Sequence, residues 1–495
     1  MTTVTTQYGM VSGTAEDGGV TRFLGIPYAA SPTGPLRFAA PQLPAAWPGV
    51  RDCSAFGATP PKPDYPRPFD TLLPEQNITG DDWLNLNVWT PDVAGHAAVM
   101  VWIHGGAFAN GNSAVRTYDG HTFARDGVVL VSINYRLGID GFALLPDAPP
   151  NRGLLDQVAA LEWVRDNVAA FGGDPGNVTI FGESAGAMSI MTLLSLPRAR
   201  GLFRRAIAQS GAAHVAADPA DARLVTAELS RVLGFDATAA SLAGLPLDKL
   251  TAAQAAVRDA MAVAPDPARF GASVVQTSIA FPPVVDGEIL PVVPQAALAA
   301  GEGADVGLLT GTNTDEVRLF FVPTGTAAAV TDEALPFVLG ALGISQETTA
   351  VYQANRPGAS PGDVLCALVT DWFFRNPMLA AAEARLAAGG PAPTYVYEFG
   401  WPSPVQGIGA AHAVEIPFVF DNLTEPDAQQ ATGPNPPADL AAEMHRAWIR
   451  FAATGDPGWQ PFDASYPVMT FGAAAGPARV VCDPRGDERR AWPPR

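Results

Sequence analysis

Six short apolar runs recur along the chain, Val99–Ile103, Val128–Ile133, Val178–Phe181, Ala206–Gln209, Val306–Thr310 and Thr394–Phe399, each followed by a turn. Near-continuous, β-branched hydrophobicity over so few residues suits parallel strands that helices cover on both faces. Between the second and third runs, Leu154, Val158, Leu161, Val164, Val168 and Phe171 recur at steps of three or four and predict one apolar helix face. Gly172-Gly173 should end that helix, and Asp174-Pro175 should prevent its continuation. Strand, helix, strand in this order predicts an α/β fold with a mostly parallel, doubly wound sheet. Residues 216–275 and 325–390 are rich in Ala and Leu at helical spacing and read as helical insertions that cover a site. No linker or internal repeat divides the chain, so residues 1–495 are expected to form one domain.

Composition narrows the function classes. With 495 residues, 48% of them hydrophobic, the chain can bury a large core. A formal net charge of −19 disfavours nucleic acid and anionic membranes as partners. Three scattered cysteines (Cys53, Cys366, Cys482) are too few for a disulfide framework or a metal site, and no metal or cofactor is expected. Met1 to Thr21 holds no Lys, Arg or apolar run, so no signal peptide is expected there. No stretch approaches the roughly 18 apolar residues that span a membrane. A cytoplasmic monomer is the expectation. Only Lys62 and Lys249 among the 30 basic residues are lysines, which reads as compositional bias rather than chemistry.

The pattern Gly-x-Ser-x-Gly occurs twice. Gly182-Glu183-Ser184-Ala185-Gly186 follows the run Val178–Phe181 and opens the apolar segment Ala187–Leu196. A serine on a tight strand-to-helix turn is the setting of a nucleophile elbow, with glycines on either side to allow close backbone approach. In the second match, Gly358-Ala359-Ser360-Pro361-Gly362, the residue after the serine is a proline. Proline has no N–H to give an oxyanion, so Ser360 is rejected and Ser184 is the candidate nucleophile.

His104-Gly105-Gly106-Ala107-Phe108 follows the run Val99–Ile103. A glycine-rich turn there can aim the N–H groups of Gly105 and Gly106 at an oxyanion, joined by that of Ala185. In this order of elements the base follows the serine and the acid, which leaves His412 and His445. His445 lies in the amphipathic stretch Leu440–Phe451, whereas His412 lies in the loop Gly407–Ala413 just past a strand, and is preferred. The acid follows Val306–Thr310, where Asp315 and Glu316 are chemically equivalent choices. Glu415 should stand behind His412, and Asp286 should shape a loop. Ala107, Phe108, Phe320 and Phe321 are candidates for an apolar substrate pocket.

Taken together, the chain resembles the type B carboxylesterase family of the α/β-hydrolase fold. The resemblance rests on Phe23–Tyr28, Leu84–Trp89, His104-Gly105-Gly106, Asn134-Tyr135-Arg136, Gly153–Gln157, Phe171–Pro175, the Ser184 turn, Gln209-Ser210-Gly211, Asp315-Glu316 and Gly409–Phe420. It implies that the acid is Glu316 and the base His412, with Glu183 and Ser210 supporting them from behind. It further implies hydrolysis of carboxylic esters by Ser184 through an acyl-enzyme, with a small ester and water as the only partners. Secreted relatives carry a cysteine where this chain has Trp83, and often another where it has Ala411; both differences suit a disulfide-free protein. Short-acyl aliphatic and aromatic esters are the expected substrates. The competing expectations are a non-catalytic binding relative of the same fold, and an amidase, carbamate hydrolase or lactonase with the same triad.

Overall fold

The apolar runs form the centre of the sheet in the computed structural model, which describes residues 1–472 and 476–493. Among the described residues the sheet has 13 strands. They are β1 (Thr2–Thr6), β2 (Gly9–Ala15), β3 (Thr21–Pro27), β4 (Val50–Asp52), β5 (Asn85–Thr90), β6 (Ala97–Ile103) and β7 (Val129–Ile133), then β8 (Gly173–Glu183), β9 (Arg205–Gln209), β10 (Gly307–Asn313), β11 (Thr394–Phe399), β12 (Pro467–Phe471) and β13 (Arg479–Cys482). Their order is β1-β2-β3-β5-β7-β6-β8-β9-β10-β11-β12-β13, with β4 beside β2. The stretch from β7 to β12 is parallel throughout. Antiparallel strands extend it at both edges. The sequence reading identified the parallel centre and, apart from the motif Leu84–Trp89, not these edges. The outermost strands β1, β2, β4 and β13 are mostly exposed or half-buried, so their hydrophobic signal is weak.

The predicted helix is α1 (Arg152–Asn167), continued by a single 3-10 turn, Val168–Phe171. Gly172 closes it at φ +78, and a Cβ there would meet the Asp92 carbonyl oxygen at 1.8 Å. Asp174 and Pro175 are not a break between elements, as expected, but lie inside β8. The register of β8 against β6 shifts between Ala97 and Val99, and this irregularity is what lets a proline sit in a strand.

Both expected insertions are helical. The first holds Pro219–Leu233 and Leu247–Val263; the second holds Leu335–Ala341, Gln346–Asn355, Pro361–Thr370 and Asn376–Ala388. A π-helical turn, Asp371–Arg375, joins the last two. Ser360 of the rejected motif caps Pro361–Thr370, its Oγ accepting the Asp363 N–H at 3.1 Å.

What positions a site is the order of the central strands. β7 and β8 flank β6 on opposite sides, so the winding direction reverses there. In doubly wound sheets the crevice at the carboxyl ends of such strands is the usual place for a ligand. Ile103 is in register with Gly182, Glu183 with Gln209, Gln209 with Gly311, and Asn313 with Phe399. The loops that leave β6, β8, β9, β10 and β11 therefore emerge side by side.

Candidate active site

Ser184 is the single residue between β8 and the helix α2 (Ala185–Leu193), with φ 56 and ψ −123. A non-glycine residue there is strained, and the surrounding contacts hold it. Its N–H donates to the Gln209 carbonyl at 2.9 Å, and its own carbonyl accepts from Met188 at 2.8 Å. A Cβ on Gly186 would lie 2.0 Å from the Ile103 carbonyl oxygen, and one on Gly182 would lie 2.4 Å from it. Both glycines are thus forced by the approach of β6. The turn after β6 is as tight: a Cβ on Gly105 would sit 3.1 Å from the Ser184 Cβ. Among the described residues, no acceptor takes the N–H groups of Gly105, Gly106 or Ala185.

His412 comes from the loop after β11. Its Nδ1 stands 2.6 Å from Glu316 Oε2, and its backbone N–H donates to the Glu316 carbonyl at 3.2 Å. The other oxygen of Glu316, Oε1, accepts the Asn313 N–H at 2.8 Å. The Nε2 side of His412 faces Glu183 Oε1 at 3.0 Å. The rings of Phe374 and Phe320 pack on the imidazole at 4.9 and 5.4 Å. Burial opposes the charging of His412, but the carboxylates of Glu183 and Glu316 outweigh it and raise the imidazole to about 9. Burial also pushes the Glu183 carboxyl well above its ordinary range, aided by Glu415 and Glu316 and opposed by His412.

The residues behind this pair form a network of their own. Glu415 accepts from Gln209 Nε2 at 3.1 Å and from Asn313 Nδ2 at 2.6 Å, while Trp448 donates to Gln209 Oε1 at 3.0 Å. Burial lifts Glu415 to about 6. Asp315, one step from Glu316, turns away and accepts the Ala410 N–H at 3.0 Å. His445 is buried with Nδ1 donating to the Val419 carbonyl at 2.7 Å. His104 donates from Nδ1 to the Gly105 carbonyl at 2.8 Å, and burial pushes it down to about 4. Asp286 orders its turn by accepting the N–H groups of Glu288, Ile289 and Leu290. Ser210 sits in the turn after β9 at φ 52, and its buried Oγ meets no hydrogen-bond partner among the described residues.

Ser184, Glu183, His412, Gly105, Gly106, Ala107 and Phe320 line one cleft of ≈ 160 Å³. Phe108 does not line it. At φ 58 its side chain enters the core and packs on Phe142 at 4.9 Å. Phe321 also lies outside the cleft, packed against the cluster of Leu335, Leu339 and Tyr352. Sequence reasoning missed other residues of the lining, among them Tyr65, Leu72, Leu73, Glu75 and Tyr118. Most of these come from a proline-rich loop with no periodicity and no motif. Among the described residues, no three His, Cys, Asp or Glu side chains group so as to hold a metal ion. No helix there is long and apolar enough to cross a membrane.

Known proteins resemble this chain over most of its length. A sequence profile described as "Carboxylesterase family" matches residues 1–475. The para-nitrobenzyl esterase of Bacillus subtilis (strain 168) is 39% identical over 465 residues, covering 92% of this chain and 90% of that protein. The phenmedipham hydrolase of Pseudarthrobacter oxydans is 36% identical over 496 residues, covering 98% and 95%. A Geobacillus stearothermophilus carboxylesterase solved at pH 6.2 superposes with a TM-score of 0.85 at 36% identity, with 100% of each chain covered.

Proposed function

The chain belongs to the carboxylesterase family, and we propose that it hydrolyses carboxylic esters with Ser184 as nucleophile, His412 as base and Glu316 as the acid that orients it. The observation that carries this reading is the single cleft in which Ser184, the Gly105-Gly106 turn and the Glu316-bound imidazole of His412 meet. Ser184 Oγ attacks the ester carbonyl and its proton passes to His412 Nε2. The oxyanion forms beside the N–H groups of Gly105, Gly106 and Ala185. His412 returns the proton to the leaving alcohol, and water then releases the acid from the acyl-enzyme by the same steps. Glu183 is a positioning residue: it meets His412 at the nitrogen that must receive the serine proton, and its charge favours the imidazolium.

The size of the cleft favours small substrates. Its ≈ 160 Å³ is well above the ~10–15 Å³ threshold for admitting one water but small for a long acyl chain. Hydrolysis of p-nitrophenyl esters from acetate to laurate, without added metal or cofactor, tests the reading. The expected kcat/KM peaks at acyl chains of about four carbons, the size such a cleft admits. A rate that climbs past about ten carbons, with activation at an oil–water interface, would contradict it.

The acid–base pair predicts a pH profile. His412 works as a base only when neutral, so a raised imidazole pKa places the rising limb of kcat/KM above the ordinary histidine value. Replacing Glu183 by Gln removes one of the three carboxylates, beside Glu316 and Glu415, that hold the proton on His412, so Glu183→Gln moves that limb to lower pH. A limb that stays in place would mean that Glu183 does not act on the base.

A further inference from the structure

Lys62, one of only two lysines in the chain, is buried beside the candidate site. Its side chain is 1% exposed, with Nζ 2.8 Å from Glu75 Oε2 and 2.6 Å from Asn77 Oδ1. The other oxygen of Glu75 accepts the backbone N–H of Gly111 at 2.5 Å. Gly111 closes the turn that begins with Gly105: a Cβ on it would lie 2.3 Å from the Gly105 carbonyl oxygen and 2.4 Å from His104 Nδ1. Inside the same turn, Asn110 N–H donates to the Gly106 carbonyl at 2.7 Å. Two further bonds fasten this turn to the proline-rich loop, from Asn110 Nδ2 to the Pro63 carbonyl at 2.6 Å and from Asn112 Nδ2 to the Gln76 carbonyl at 3.0 Å. Three consecutive residues, Asn110, Gly111 and Asn112, are thus tied to one loop, and the carboxylate that holds the central one is itself ion-paired with Lys62.

We propose that Lys62 is a positioning residue for ester hydrolysis, holding through Glu75 and Gly111 the turn that presents the Gly105 and Gly106 N–H groups to the oxyanion. The inference rests on the reading of Ser184 and this turn as the acyl-transfer site. Nothing else among the described residues places a cation on Glu75, whose carboxylate burial penalises and Lys62 stabilises. Without Lys62, Glu75 is a buried charge that must protonate or swing toward solvent. Either movement loosens its bond to Gly111, and the turn shifts relative to the Ser184 Cβ that it packs against. An oxyanion donor displaced by a fraction of an ångström weakens transition-state binding while leaving room for the ground-state ester.

The test uses the purified full chain and its Lys62→Met, Glu75→Gln and Lys62→Met/Glu75→Gln variants, each checked for folding by circular dichroism. Hydrolysis of p-nitrophenyl butyrate is measured beside inhibition by an aliphatic trifluoromethyl ketone, whose adduct with the serine carries the oxyanion. Each single variant should lose ~10–100-fold in kcat with KM within about threefold, and should bind the ketone more weakly by a similar factor. The double variant, which leaves no unpaired buried charge and keeps an amide oxygen for Gly111, should recover to within about fivefold of the parent. If Lys62→Met does not fold, the Glu75→Gln and double variants decide by the same two readouts. Single variants with parental kcat and ketone affinity would overturn the proposal, as would losses confined to KM or losses that simply add in the double variant. Activity surviving in a Ser184→Ala control would overturn the reading beneath it as well. A control that is dead beside unaffected Lys62 and Glu75 variants would overturn the positioning role alone.

Discussion

Replacing Ser184 with alanine is expected to lower kcat for p-nitrophenyl butyrate by about a million-fold, the loss typical of a hydrolase stripped of its nucleophile. The substitution is a clean one on structural grounds. Alanine keeps the Cβ against which Gly105 packs, and it endures φ 56 no worse than serine does. The hydroxyl makes no hydrogen bond to the described residues, so its removal leaves no buried partner unsatisfied. The thermal midpoint should therefore stay within about 2 °C of the parent, since changes that break no contact rarely exceed a few tenths of a kcal/mol. Turnover measured beside the melting curve separates lost chemistry from lost structure. The residual rate should still exceed that in water, because the Gly105-Gly106 turn and the cleft remain and can stabilise the attack of a water molecule. Activity near the parental level would place the nucleophile elsewhere.

The parts of the site that were legible in the sequence are those where chemistry or sterics dictate residue identity within a short window. Gly182 and Gly186 are readable because they flank the serine in a five-residue motif, although the Ile103 carbonyl that excludes a side chain there lies on β6. The rejection of Ser360 needed only the chemistry of proline, and the structure finds that serine capping a helix. His412 could be preferred over His445 because one sits in a loop past a strand and the other on an amphipathic face, where it bonds to Val419. Asp315 and Glu316 were different. Nothing local separates two adjacent carboxylates, and only family resemblance favoured the second. Their opposite orientations, toward Ala410 and toward His412, depend on the loop after β11, roughly a hundred residues away.

The illegible parts share a cause. Phe108 adjoins the glycine turn and looked like pocket lining, but a positive φ at Ala107 and Phe108 turns that aromatic ring into the core. Backbone sign at a single residue leaves no mark on hydrophobic pattern. The wall formed by Tyr65, Leu72 and Glu75 belongs to a loop whose course is set by bonds to Asn110, Gly111 and Asn112, not by its own periodicity. The scarcity of lysine read as mere composition. Only the structure shows one of the two lysines, Lys62, paired with Glu75, a carboxylate of the cleft.

The strongest test of the acid is Glu316→Gln, which should lower kcat by about ten-thousand-fold although it changes one atom. The reason lies in the two faces of the Glu316 carboxylate. Oε1 accepts the N–H of Asn313 at 2.8 Å, and Oε2 accepts from His412 Nδ1 at 2.6 Å. A glutamine amide has one oxygen and one nitrogen to offer these two donors. The backbone N–H of Asn313 cannot reverse its role, so the amide oxygen must face it and the NH₂ must face His412. A donor at that place obliges Nδ1 to be the acceptor and moves the imidazole proton to Nε2. Nε2–H cannot take the serine proton, and the base is held in the wrong tautomer. The alternative flip restores the tautomer but sets the amide NH₂ against the Asn313 N–H in a fully buried place, at the cost of an unsatisfied and opposed donor. Asp315→Asn is the matched control. Asp315 accepts the Ala410 N–H and does not touch His412, so an asparagine oxygen can replace it and kcat should fall by less than about tenfold. A loss from Asp315→Asn as deep as that from Glu316→Gln would mean that the acid had been assigned to the wrong carboxylate.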